Sequence, residues 1–196
     1  MKKTILLFTI ALAFMQFSFA QTTWKADPMH SNTRFEVGHF GLSIVDGEFT
    51  TFEGTVETKE DSNFAGAIFN FTVDVNSIDT RIEDRDTHLK SDDFFNAEKY
   101  PTITLKNAVL THKKENEYVL EGDLTIRDVT KKVSFDVIQN NGIISDPWGM
   151  TRAGFTAKTE IDRRDFNVNF GDKLPSGIDQ VAYKINIIVN LEVVKE

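Results

Sequence analysis

The feature that most constrains the fold is an alternation of apolar and polar residues with a period of two, which recurs along most of the chain. The segment 64–75 shows it most clearly, because one face carries Ala67, Phe69, Phe71, Val73 and Val75. Successive side chains of a β-strand point to opposite faces, so this pattern predicts half-buried strands. Eight or nine such segments, joined by hairpin-length links, predict an all-β antiparallel sheet that closes into a barrel rather than leaving long exposed edges.

The inward faces of these strands give the predicted lining of the barrel. An eight-stranded barrel is either filled by side chains or just wide enough for one small ligand. Small residues on the inward faces, at Gly54, Ala67, Ala153 and Ala157, leave room for a ligand, but composition alone leaves both alternatives open. The residues predicted to bind a ligand are Phe35, Val37, His39, Phe52, Phe69, Phe71, Val73, Leu105, Phe135, Phe155, Tyr183 and Ile185.

One long stretch, about residues 80–96, breaks the alternation and predicts a short helical plug among the strands. Thr80 and Glu83 have the spacing of a capping box, which predicts a helix start near Thr80. Ile82 and Leu89 lie seven residues apart and therefore predict one narrow apolar helix face. Pro101 cannot continue a helix and favours extended backbone in the residue before it, so we expect a strand from there on.

Short motifs in and around this stretch resemble those of a known family. Residues 85–91, followed by Phe94-Phe95 and Tyr100-Pro101, look like the central signature of the YceI-like family, and other matching residues follow the same order along the chain. They are Asp27, His30, Ser31, Phe35, His39, Gly47, Phe49, Gly54 and residues 122–126, 147–149 and 164–166. The resemblance spans essentially the whole chain after residue 20. It implies a lipocalin-like antiparallel barrel that binds a polyisoprenoid, an isoprenoid quinone or another long amphiphile, with no catalytic residue set and no cofactor besides this cargo.

The chain departs from the family pattern at Asp128 and Asn167, where the family usually has Gly. Asp and Asn tolerate the left-handed backbone region better than other residues with a side chain. We therefore expect a positive φ angle at one of these positions at least, in a turn that does not contact cargo.

The first twenty residues have the pattern of a secretory signal peptide. Lys2 and Lys3 precede an apolar run, and Ala20 ends a small-x-small cleavage site. The alternative is a membrane anchor, but the run is shorter than the ~20 residues that span a bilayer. We expect cleavage near Ala20, a periplasmic or secreted protein without stable membrane insertion, and a single barrel domain over residues 21–196. The chain has no Cys, which excludes disulfides and thiol chemistry.

The net charge argues against polyanionic partners. Removal of Lys2 and Lys3 takes the formal net charge from −8 to −10, so a phosphate-binding basic surface is not expected and nucleic acid is a poor candidate partner. An anionic membrane surface repels such a chain on average. The expected partner is a long-chain apolar small molecule held within the fold, and a homodimer is left open.

Two other functions remain as alternatives: a small periplasmic enzyme that acts on such a lipid through His88 and Asp86, or a packed, stress-related structural barrel. A hydrolase could combine Ser31 or Ser91 with that pair, but the chain lacks a G-x-S-x-G elbow. It also lacks an H-E-x-x-H pattern, and the histidines lie in separate segments. We therefore expect no catalytic site and no metal.

Two groups of residues are assigned to the barrel rim. Charged residues beside apolar anchors predict ion pairs that tie the plug and a late loop to the rim, and the alternative is a polar mouth for a quinone or phosphate head group. These residues are Arg85, Asp86, Arg163, Arg164 and Asp165. The aromatic residues Phe94, Phe95 and Trp148 are predicted to seal a barrel end.

Overall fold

The computed structural model describes residues 21–196, so the predicted signal peptide lies outside the described residues. One α-helix, α1 (Glu83–Lys90), and two 3-10 helices, Val75–Ser77 and Arg163–Phe166, interrupt the strands. The strands are β1 (Thr22–Ala26), β2 (Asn32–His39), β3 (Ser43–Phe49), β4 (Phe52–Thr58), β5 (Ile68–Asp74), β6 (Ile78–Asp79), β7 (Thr102–Lys114), β8 (Glu117–Ile126), β9 (Val129–Ser145), β10 (Thr151–Asp162) and β11 (Val181–Lys195). None of the described helices is long and apolar enough to cross a membrane.

Eight antiparallel strands close into a barrel in the order β1-β4-β5-β7-β8-β9-β10-β11, and β11 pairs back to β1. The long strand β11 pairs with β1 near its C-terminal end and with β2 between Val181 and Asn190. The sheet then continues from β2 to β3 and the short β6. The consecutive strands β1 and β2 thus pair with different parts of the same edge of β11. The predicted all-β, eight-stranded antiparallel barrel is confirmed.

One end of the barrel is packed solid with aromatic side chains. Trp24 and Phe64 are fully buried, and their ring centroids lie 4.9 Å apart. Phe64 in turn meets Phe155 edge-on at 4.9 Å. Edge and tilted contacts of this kind let large rings fill a core without gaps. This cluster forms the floor of the barrel interior.

Helix α1 and the turns after it cover the opposite end, but the helix starts differently from the prediction. It begins at Glu83, and its N-cap residue Ile82 has an aliphatic side chain that cannot accept a hydrogen bond. Two side chains of α1, Arg85 and Asp86, form hydrogen bonds with Thr80 instead. Its backbone N–H and hydroxyl donate to Asp86 Oδ1 at 2.9 and 2.5 Å, and Arg85 Nε donates to the Thr80 hydroxyl at 2.7 Å. The predicted capping box is therefore wrong, although the helical plug exists.

The inner face of the plug comes mostly from the turns after the helix. Leu89 reaches the barrel interior, whereas Ile82 is 52% exposed, so the predicted apolar helix face is wrong at Ile82. Phe94 is buried and packs against Phe170 with ring centroids 4.7 Å apart. Trp148 lies on the turn between β9 and β10 and is 85% exposed, so it seals neither end of the barrel.

Two bulges change which residues face inward. At Asn107, with φ 51°, strand β7 slips against its neighbours. Ala108 and Leu110 are therefore buried, and Val109, which regular alternation from Leu105 would place inward, is exposed. A second bulge lies at Asn141, where the sequence pattern Asn-Asn-Gly predicts a turn. A bulge places two residues opposite one and resets the alternation beyond it. The turn itself comes later, at residues 146–150.

Candidate functional site

The barrel encloses an apolar cavity of about 220 Å³ between the aromatic floor and the plug. All the residues that line it are apolar except Thr33, Arg34 and Arg163. The Thr33 hydroxyl is already used, because it donates to the backbone carbonyl of Phe49 at 2.8 Å. A site with so few polar groups can recognise a ligand mainly by excluding water from hydrocarbon.

Two glycines keep aromatic rings flat against the cavity wall. Gly54 is the direct strand partner of Phe71, and a Cβ atom on Gly54 would lie 2.1 Å from the phenyl ring. Gly47 is likewise the direct strand partner of Phe35, and a Cβ atom on Gly47 would lie 2.6 Å from that phenyl ring. Each ring thus occupies the space above a residue without a side chain. The glycines leave the centre of the barrel open instead of filled with phenyl groups.

Most of the residues predicted to face the interior do line this cavity. They are Phe35, Val37, Phe69, Phe71, Val73, Leu105, Phe135, Phe155 and Ile185. Their contact with a ligand stays a prediction, but their position on one continuous apolar wall follows from the period-two pattern.

Three of the residues predicted to bind a ligand do not line the cavity. His39 is exposed at the end of β2, where its ring packs on Phe40 at 4.0 Å. Phe52 is half-buried at the bend between β3 and β4. Tyr183 lies where the pairing of β11 with β2 slips, and its ring is covered by the guanidinium of Arg164 at 3.8 Å.

Several wall residues come from segments without strand periodicity. Phe166 and Val168 belong to the turn after β10, and Phe95 and Leu89 belong to the plug. The rings of Phe49 and Phe95 meet edge-on at 5.8 Å, which brings the plug against β3. Family motif positions had pointed to Phe49 and Phe166. Alternation could not identify Phe166, because this residue lies in the 3-10 helix after β10.

Arg163 is the charged residue that the structure places deepest. It is 5% exposed, lies on the cavity wall, and donates from Nε, Nη1 and Nη2 to the backbone carbonyls of Ala182, Val168 and Val181 at 3.0, 2.6 and 2.9 Å. Burial lowers the pKa of this guanidinium from its ordinary value. Arg163 thus ties the turn after β10 to the start of β11.

The predicted rim ion pairs form only in part. Arg164 pairs with Asp162 at 2.5 Å, and Asp165 pairs with Lys131 at 2.8 Å. Arg85, Asp86 and Arg163 instead bond to Thr80 or to backbone carbonyls, so the prediction of rim ion pairs is wrong for these three. Arg127 also joins the plug to the turn after β10, because its Nη1 donates to the backbone carbonyls of Phe94 and Asn167 at 2.8 and 2.9 Å.

The residues of the enzyme hypothesis do not assemble into a catalytic group. His88 Nε2 lies 2.9 Å from Asp93 rather than near Asp86, whose carboxylate accepts from Thr80. The Ser91 hydroxyl donates to the backbone carbonyl of His88, not to its ring. A nucleophile must reach the ring nitrogen of its base. This arrangement provides no such contact among the residues of the described chain.

A polar cluster lies outside the cavity, beside the first turn of the chain. Arg152 bonds to Asp27, Asp146 and Glu192 at 2.6–2.7 Å, and His30 Nδ1 lies 2.8 Å from Asp27. Burial alone would raise the pKa of Asp27, but hydrogen bonds from His30 and Arg152 lower it to about 2. The hydrogen bond between His30 and Asp27 also raises the pKa of His30. Within residues 21–196 this is the one group of potential metal ligands, and Arg152 already occupies its carboxylates.

The two departures from the family pattern touch each other. Asn167 has φ 60° and donates from its side chain to Asp128 at 3.3 Å, and both residues are exposed and off the cavity wall. The expectation of a positive φ is confirmed at Asn167. In the turn after β8 the left-handed residue is Arg127, with φ 54°, rather than Asp128.

Comparison with known proteins agrees with this architecture. The family model described as "YceI-like domain" matches residues 24–193. Protein YceI of Escherichia coli O157:H7 is 34% identical over 199 residues, which cover all of both chains. Among solved structures, Burkholderia cenocepacia BcnA has a TM-score of 0.73 and 23% identity, with 85% of this chain and 98% of that chain covered. A polyisoprenoid binding domain from Saccharophagus degradans has a TM-score of 0.61 and 13% identity, with 88% and 98% covered.

Proposed function

Because this chain belongs to the YceI-like domain family, we propose that it is a carrier that holds a polyisoprenoid, an isoprenoid quinone or a similar long amphiphile inside its barrel. The observation that carries the proposal is the apolar cavity between floor and plug. The polyisoprenoid binding described for the domain from Saccharophagus degradans supports the choice of cargo.

The cavity favours hydrocarbon for a physical reason. Each methylene group moved from water to an apolar wall contributes about 0.8 kcal/mol before ordering costs. Affinity therefore grows with the length of chain that the cavity accommodates. The wall combines phenyl rings with branched aliphatic side chains, and such a surface can follow the methyl branches of an isoprenoid chain.

The proposal includes export and the absence of catalysis. The pattern of the first twenty residues supports export to the periplasm or beyond, where a carrier can move lipid through water. The alternative, an enzyme that acts on the same lipid, would use His88 beside the plug. His88→Ala should leave the bound lipid chemically unchanged and in place, whereas a product that wild-type protein forms and His88→Ala does not would establish the enzyme.

Mass spectrometry of an organic extract from the purified full chain tests the carrier directly. We expect a long-chain isoprenoid or related amphiphile in near-stoichiometric amount. Ala157→Phe places a ring in the cavity and should remove most of this lipid. Ala65→Phe is the matched control, because Ala65 is exposed on the loop after β4 and off the cavity wall.

Two results would refute the carrier. One is protein that is empty as purified and takes up no ubiquinone or polyprenol from added vesicles. The other is equal lipid content in Ala157→Phe and Ala65→Phe, which would locate the lipid outside the barrel. Circular dichroism of each variant establishes that the barrel is folded.

A further inference from the structure

Arg163 combines deep burial with a position on the cavity wall. Its exposed fraction is 5%, and no other charged side chain among residues 21–196 is buried to this degree. A cation in an apolar environment is costly unless a counter-charge or hydrogen bonds compensate for the lost water. A charge kept at the wall of a cavity therefore calls for an explanation beyond packing.

The hydrogen bonds of Arg163 leave donors unused. A guanidinium has five N–H groups, and here Nε, Nη1 and Nη2 each donate to one backbone carbonyl. One N–H on each terminal nitrogen is left without a partner among the described residues. Guanidinium N–H groups form strong, charge-assisted hydrogen bonds with carboxylate or carbonyl oxygens.

The neighbouring carboxylates do not neutralise this charge. Asp162 pairs with Arg164 at 2.5 Å, and Asp179 pairs with Lys173 at 2.5 Å. No carboxylate of the described chain lies within ion-pair distance of Arg163. The region around Tyr183 thus carries one excess positive charge, and that charge is the buried one.

We propose that Arg163 binds the polar head group of the cargo through a carbonyl or carboxylate oxygen, while the hydrocarbon tail extends toward Phe155. This inference rests on the proposed carrier function and names the chemistry of its ligand. The oxygen accepts hydrogen bonds from the two free N–H groups and offsets the buried charge. An oxyanion compensates the charge fully, and a neutral carbonyl compensates it in part.

A series of related isoprenoids tests the inference on the wild-type full chain. The probes are farnesoic acid, farnesal and farnesene, which share a fifteen-carbon skeleton and differ mainly at the head group, and each displaces a neutral fluorescent reporter from delipidated protein. We expect the acid and the aldehyde to bind at least about tenfold more tightly than the hydrocarbon. Equal affinity of all three overturns the head-group assignment and leaves the carrier intact. Failure of all three to bind contradicts the carrier itself.

Variants locate the effect at this side chain. Arg163→Met should reduce the affinity ratio of acid to hydrocarbon to about one, and Arg163→Lys should restore part of the ratio for the acid. Arg164→Met is the matched control, because Arg164 is exposed and does not line the cavity. The acid-to-hydrocarbon affinity ratio of this variant should equal that of wild type. An unchanged ratio in folded Arg163→Met, or a ratio that falls as far in Arg164→Met, overturns the proposal.

A second measurement uses wild type alone and so does not depend on the folding of a variant. The carboxyl carbon of ¹³C-labelled farnesoic acid reports its ionisation in the complex. Burial in an apolar cavity raises the pKa of a carboxyl group, whereas an adjacent guanidinium lowers it. We expect the bound acid to stay ionised at lower pH than free acid in water, and a raised pKa overturns the proposal.

Discussion

Gly54→Ala should convert part of the cavity into packed interior. The new Cβ atom would lie 2.1 Å from the Phe71 ring, whereas unstrained carbon contacts are about 3.5–4.0 Å, so the ring has to move inward by about 1.5 Å or more. Overpacking of this kind costs about 1–3 kcal/mol. Loss of chain entropy in the unfolded state returns about 0.4–1 kcal/mol. We expect a net loss of about 1–2 kcal/mol in unfolding free energy, together with reduced lipid content.

Urea denaturation followed by circular dichroism measures the stability of delipidated protein, and mass spectrometry of extracts measures the cargo. Gly142→Ala is the control, because a Cβ atom there meets nothing within 4 Å, and it should be neutral or slightly stabilising. The double variant Gly54→Ala/Phe71→Leu should recover lipid content by removing the displaced ring. The reasoning fails if Gly54→Ala matches Gly142→Ala in both stability and lipid content.

Three other positions give predictions of stability. Asn167 has φ 60°, so Asn167→Gly should leave the urea midpoint nearly unchanged, whereas Asn167→Val should cost on the order of 1 kcal/mol or more, and equal midpoints would contradict this. The folded-state pKa of Asp27 is about 2, below its ordinary value, so its contribution to stability is full above about pH 4 and is lost as pH falls toward 2. Asp27→Asn should reduce this loss of stability at low pH. An unchanged loss would contradict the role of Asp27 in the polar cluster. The pKa of His30 is raised, so its contribution is full below about pH 6.5 and is lost as pH rises through the folded value, and His30→Gln should remove this dependence.

The sequence predicts the barrel and most of its wall because both depend on a local pattern. Alternation places Phe69, Phe71 and Val73 inward without any knowledge of their partners, and the structure agrees. The pattern fails where the backbone slips. Asn107 inserts one residue into β7 and exposes Val109, and the irregular pairing of β11 moves Tyr183 off the wall. A bulge depends on two strands at once, so one strand's sequence does not reveal it.

The plug shows a different limit. Thr80 and Glu83 satisfy the local rule for a helix start, yet Arg85 and Asp86 bind Thr80 and leave the helix to begin three residues later. The hydrogen bonds of Thr80 with Asp86 and Arg85 replace those of the capping box, and sequence spacing alone does not rank these alternatives. The role of Arg163 was likewise out of reach, because its partners are backbone carbonyls of β11 and the adjoining turn, and any sequence supplies such groups.

The pairing that completes the barrel joins the two ends of the described chain, since Trp24 stands opposite Lys195 and Ala26 opposite Val193. Contacts between residues so far apart in sequence slow folding, because the entropy of closing the loop is lost before they form. Strand β1 therefore cannot complete its pairing before β11 is present, and the barrel cannot close without both strands. A barrel that closes only when β1 and β11 are both available is compatible with the proposed export of the chain in an unfolded state.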